Sequence, residues 1–118
     1  MTHQAPPPAP PSGADPGRQV AQLREALRLV ERIAGRDGGP SASDARLDEA
    51  ARVSIAYDRA LPVAQRRFDA LAAETAIWAA AGVEALLAAG HGAPPRAAAA
   101  RLAESLARAL SDLEASLR

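Results

Sequence analysis

With 118 residues, a mass of 12.1 kDa and 48% hydrophobic side chains, the chain is long enough to build one compact domain. It contains no cysteine, which excludes a disulfide scaffold and any thiolate metal site. Fourteen basic residues balance fourteen acidic ones, so the strong electrostatic pull of a non-specific nucleic-acid binder is missing.

Every basic residue is an arginine, lysine and asparagine are absent, and alanine fills about a quarter of the chain. Ala, Arg, Gly and Pro share GC-rich codons, so one base-composition bias accounts for all of this, and no argument below rests on arginine replacing lysine.

Residues 1–17 hold six of the ten prolines and no large apolar side chain after Met1. Such a segment cannot bury enough surface to offset chain ordering, which predicts a disordered, Pro-rich N-terminal tail ahead of a single helical domain over 18–118. It lacks the basic start and apolar middle of a secretory signal. No stretch looks apolar enough for a transmembrane span, the alanine-rich run after Trp78 being short and interrupted, so the expected location is cytoplasmic with no membrane partner.

Asp15-Pro16 reads as a helix start: a side-chain acceptor followed by proline at the first helical position. Val20, Leu23, Leu27, Val30 and Ala34 then recur at alternating spacings of three and four, which is one apolar stripe, widened by Ala26, Leu29 and Ile33. Gly35 is placed to end that helix, and the following Arg-Asp-Gly-Gly-Pro run is a turn by composition. Ser41 to Asp44 offers a second start in a variant of the capping box. From there Leu47, Ala50, Ala51, Ser54, Tyr57 and Leu61 form a weaker stripe, which Pro62 interrupts by removing a backbone donor and clashing with the preceding turn. A break or kink is expected at that proline.

From Val63 to about Ala89 runs the longest helical pattern. Ala64, Phe68, Leu71, Thr75, Trp78, Gly82 and Ala85 follow the three-four alternation, with Ile77, Val83, Leu86 and Leu87 widening it. Gly90-His91-Gly92 supplies a stop and Pro94-Pro95 a new start. In the last helix Leu102, Leu106, Leu110, Leu113 and Leu117 share one face. The sequence therefore predicts an all-α fold: a small bundle of about four helices, mostly antiparallel because the connections are short. Alanine buries little area, so the core is expected to be thin, and self-association as a homodimer through the 63–89 helix is expected to cover the surplus.

Catalytic signatures are scarce. His3 lies in the tail and His91 between two glycines, and neither follows a glutamate at the spacing of a helical di-metal site. The His-Glu-x-x-His, phosphate-loop, dinucleotide-loop and Gly-x-Ser-x-Gly patterns are absent. No cofactor, metal or catalytic residue is assigned on this basis. By segment, residues 1–40, 41–93 and 94–118 carry net charges of +1, −2 and +1, so no basic arm exists for nucleic acid.

The densest polar cluster, in the middle third with all three aromatics, contains Tyr57, Arg59, Arg66, Arg67, Phe68 and Trp78. Aromatic and arginine side chains are enriched at interface hot spots, which makes these six the candidate interaction patch. The same arginines could instead clamp an anion, with Asp58 or Glu74 as an acid–base group. Otherwise Phe68 and Trp78 are core anchors, and the charges form surface pairs such as Arg66 with Asp69. The expected function is that of a non-enzymatic helical interaction module, an adaptor, regulator or chaperone-like subunit with an unidentified protein partner. The alternative is a small enzyme or anionic-ligand binder around Arg59, Arg66 and Arg67.

Overall fold

The computed structural model describes residues 15–36, 43–90 and 93–118. Four helices appear there and no strand: α1 (Pro16–Ile33), α2 (Ser43–Arg59), α3 (Pro62–Ala89) and α4 (Ala93–Ser116). Residues 1–14 of the predicted tail and the Ser41 cap lie outside the described residues. Helix α1 begins at Pro16 and so takes in the last two residues of the predicted 1–17 tail.

Both ends of α1 follow from local chemistry. Asp15 caps the start, its carboxylate accepting from Gly17 N–H at 3.0 Å, with Pro16 already set to a helical φ. At the other end Gly35 has a φ of +78°, Arg36 N–H donates to Glu31 C=O at 2.8 Å and Gly35 N–H to Arg32 C=O at 3.1 Å. These two bonds make a Schellman motif, which requires a left-handed residue that only glycine adopts without strain.

Helix α1 touches all three other helices, and α3 also packs on α4. The ends show the directions. Gly17 lies against Ala50 and Ser54, and Arg24 pairs with Glu49 through three contacts of 2.9–3.1 Å, so α1 and α2 are antiparallel. Gly35 lies beside Arg96, so α4 runs antiparallel to α1. Gly82 lies against Leu102, and α3 is antiparallel to α4. The pairs α1–α2 and α3–α4, each joined by a short connection, thus pack antiparallel, as does α1–α4.

The core follows the predicted stripes on α1 and α4. Val20, Leu23, Leu27, Val30 and Ala34 are all buried, as are Leu106, Leu110 and Leu113. It is also thin: of the fifteen buried apolar residues described, five are alanine. Two buried hydroxyls are satisfied locally, Thr75 donating to Leu71 C=O and Ser116 to Leu113 C=O, each at 2.7 Å.

Helices α2 and α3 depart from expectation. Among the described side chains of α2 Val53 is buried, while Leu47 and Ala51, and Leu61 just beyond the helix, are exposed. The reason is the close approach at Gly17, which seats Ala50 and Ser54 on α1 and turns the Leu47–Ala51–Ile55 line outward. On α3 the inward line is Phe68, Ala72, Thr75, Ala79 and Leu86, and Ile77, Ala85 and Leu87 face away from it. Contrary to the sequence-based expectation, α3 is long and apolar enough to cross a bilayer by length and composition, and only 22% of its apolar window is buried.

Candidate functional site

The predicted cluster straddles the junction of α2 and α3. Pro62 breaks the helix there, and Leu61 is extended, with φ −65° and ψ +152°, as a residue before proline should be. The break frees backbone groups that the elbow then satisfies. Ala60 N–H donates to Tyr57 C=O at 3.1 Å, Gln65 Nε2 donates to the same carbonyl at 2.7 Å, and Gln65 N–H donates to Leu61 C=O at 3.0 Å.

Tyr57 staples the two helices. Its ring meets Phe68 edge-to-face, with centroids 5.6 Å apart and planes at 72°. Its hydroxyl donates to Asp69 Oδ2 at 3.0 Å. Burial, that hydrogen bond and the negative charges of Asp69 and Asp58 all push the phenol above its usual 10.0. Asp69 is therefore engaged by Tyr57, in place of the surface pair with Arg66 that spacing alone suggests.

This raised pKa predicts a pH effect that the composition isolates. The folded state holds the phenolic proton more tightly than the unfolded state. Its contribution to stability is therefore complete below pH 10.0 and is lost as pH rises through the folded value. With no lysine or cysteine, and arginine staying protonated up to about pH 12, Tyr57 is the only side chain expected to titrate in that window. Phenolate absorbance should show a native midpoint above 10.0, returning to the ordinary value in urea. Urea stability should fall above that pH in the native sequence and not in Tyr57→Phe. A native midpoint at or below the ordinary value would contradict the elbow geometry.

The six candidate residues do not form one surface. Phe68 is 0% exposed and belongs to the core, and Tyr57 is half-buried. Trp78 is half-buried and packs against the core ten residues further along α3, about 15 Å away at 1.5 Å per residue. Arg59, Arg66 and Arg67 are exposed. Arg59 borders an open groove with Arg52, Ile55, Ala56 and Leu117, and neither Arg66 nor Arg67 lines it. None of the grooves described among these residues gathers the three arginines of the alternative, anion-binding reading. A larger open groove of about 500 Å³ lies where α1 and α3 end and α4 begins, lined by Leu29, Ile33, Leu86 and Leu87 with Arg32 and Arg96.

Alongside its charges the fold presents large apolar side chains outward. Leu47 (69%) and Ile55 (51%) project from α2, Leu61 (71%) from the elbow, and Val63 (53%), Ile77 (71%) and Leu87 (62%) from α3. The outer face of α3 carries Val63, Arg66, Ala70, Ala73, Ile77, Ala80, Glu84 and Leu87, all exposed.

No family model, curated protein or solved structure matches the chain. The functional reading rests on these surfaces.

The sequence reading missed this second register on α3 because it assigned Ile77 and Leu87 to the inward stripe. The signal was present. The alternating spacing of three and four runs from residue 63 to 87 in that register as well as through Phe68 and Thr75, and only contacts with α1 and α4 choose between them.

Proposed function

We propose that this chain is a non-enzymatic helical interaction module, an adaptor, regulator or chaperone-like subunit of the cytoplasm that works by pairing its outer helix faces with another polypeptide. The single observation that carries the reading is the set of six large apolar side chains left more than half exposed on α2, the elbow and α3. Scattered apolar side chains are ordinary on a surface, but here they fall in helical register on two faces. Keeping such faces in water costs stability that a thin, alanine-rich core is poorly placed to offset, and a polypeptide partner removes that cost. Among the described residues no group of three or more His, Asp or Glu side chains is arranged to hold a metal ion.

Sedimentation across the micromolar range tests the reading. The expected result is a species heavier than the 12.1 kDa chain that reverts toward it when Ile55, Ile77 and Leu87 are replaced by glutamine, with the helical circular-dichroism signal retained. A chain that stays at 12.1 kDa through hundreds of micromolar would count against it.

A further inference from the structure

We propose that α3 pairs with α3 of a second copy, antiparallel, across a two-fold axis at the level of residue 75. The proposal rests on the interaction reading above and supplies its partner and geometry. Its basis is a symmetry in the exposed seam. Each position lies as far before residue 75 as another lies after it: Val63 mirrors Leu87, Arg66 mirrors Glu84, Ala70 mirrors Ala80 and Ala73 mirrors Ile77. Laid antiparallel on itself, the seam therefore sets Val63 against the other copy's Leu87, Arg66 against its Glu84, alanine against alanine, and Ile77 against Ala73.

The spacings are those of a coiled coil. Val63, Ala70, Ile77 and Glu84 occupy the first core position of successive heptads, and Arg66, Ala73, Ala80 and Leu87 the second. Antiparallel pairing brings first-position residues against second-position ones, which is how the mirrored residues match. The seam spans about 36 Å of helix, and its three alanines let the axes approach toward the short end of the usual 8–10 Å range. Bulky Ile77 then finds small Ala73 opposite it.

Charge decides the occupant. Arg66 and Glu84 interrupt an otherwise apolar seam, and neither has an ion pair among the described residues. Glu84 has no basic residue one turn away on its own helix, since positions 80, 81 and 88 are alanine and 87 is leucine. A lipid surface or an apolar groove would desolvate both charges for no return. A second copy neutralises both at once and fixes direction, because a parallel pairing would set Arg66 against Arg66 and Glu84 against Glu84. Glu74 flanks the axis, where each copy's carboxylate stays exposed to water and is screened.

Charge reversal tests direction and register together. Arg66→Glu sets a glutamate opposite Glu84 at both symmetric contacts, and Glu84→Arg sets an arginine opposite Arg66 at both. Each variant alone is expected to weaken the dimer about tenfold or more by sedimentation equilibrium. An equimolar mixture of the two should regain dimer as a heterodimer, and the double variant Arg66→Glu/Glu84→Arg should regain it as a homodimer. Both residues are exposed, and retained helical circular dichroism shows that each variant folds. Dimers that form equally well in every variant would overturn this seam while leaving the interaction reading intact. A wild-type chain that stays monomeric overturns both, and so does one that is monomeric in solution yet floats with phosphatidylcholine vesicles.

Discussion

Phe68→Ala is expected to destabilise the protein by about 3–5 kcal/mol in urea denaturation, the range for emptying a fully buried aromatic site. The side chain is 0% exposed, it is the only phenylalanine in the chain, and it is one of few large groups in a core where a third of the buried apolar residues described are alanine. Alanines cannot swing into the space left behind, so the cavity should persist rather than collapse. The loss also removes the ring that Tyr57 packs against, which frees the α2–α3 elbow to open. With total stability of small domains at about 5–15 kcal/mol, this one change is expected to consume a large part of the whole. Ile77→Ala is the control on the opposite face of α3, since its side chain is 71% exposed, and a monomeric sample should change by less than about 0.5 kcal/mol. A Phe68→Ala protein within 1 kcal/mol of wild type, on the scale of ordinary substitutions, would mean that the core is not organised around this ring.

Gly17→Ala is expected to destabilise as well, although alanine exceeds glycine by about 1 kcal/mol in helix propensity. The position lies in the first turn of α1, where the helix crosses α2 at closest range. An added methyl would collide with the Ala50 carbonyl oxygen, and would sit 2.7 Å from Ser54 Oγ and 2.9 Å from the Ala50 carbonyl carbon. Two of those atoms are backbone and cannot rotate away, so α2 must shift. That shift pulls Ser54 from the Asp15 carboxylate, to which its hydroxyl now donates at 2.8 Å, and loosens the α1 cap. Overpacking of this kind costs about 1–3 kcal/mol, or a melting temperature lower by about 4–8 °C per kcal/mol for a domain of this size. Gly82→Ala offers the comparison. The nearest atoms to its methyl would be those of the Leu102 side chain, at 2.7 and 3.1 Å, and a leucine rotamer can yield. Its effect should be the smaller of the two. A Gly17→Ala protein that melts higher than wild type would show that α2 does not seat where the fold puts it.

The contrast between those two glycines illustrates how much of the molecule was readable in advance. Capping chemistry is local: Asp15-Pro16, Gly35 and Pro62 act through one or two neighbouring peptide groups, and each marks its boundary in the fold as its residue type requires. The stripes on α1 and α4 were equally legible because each helix carries one dominant line of Val or Leu. Alanine on every side of α3 and α2 blurs that line, since a small side chain is tolerated both inside and outside. The candidate site suffered from the same ambiguity. Tyr57 and Phe68 fell in one predicted cluster, but nothing local said that the two rings meet, or distinguished a buried ring pair from an exposed aromatic patch.

The sequence by itself determined the all-helical class, an interruption at Pro62 and the inward faces of α1 and α4, because propensity, capping and a single strong periodicity are properties of adjacent residues. Tertiary structure alone decided the rotation of α2 and α3 about their axes. That rotation is set by contacts between residues far apart in the chain, Gly17 against Ala50 and Gly82 against Leu102 among them. Through it the fold selected which apolar residues are hidden and left Val63, Ile77 and Leu87 facing water.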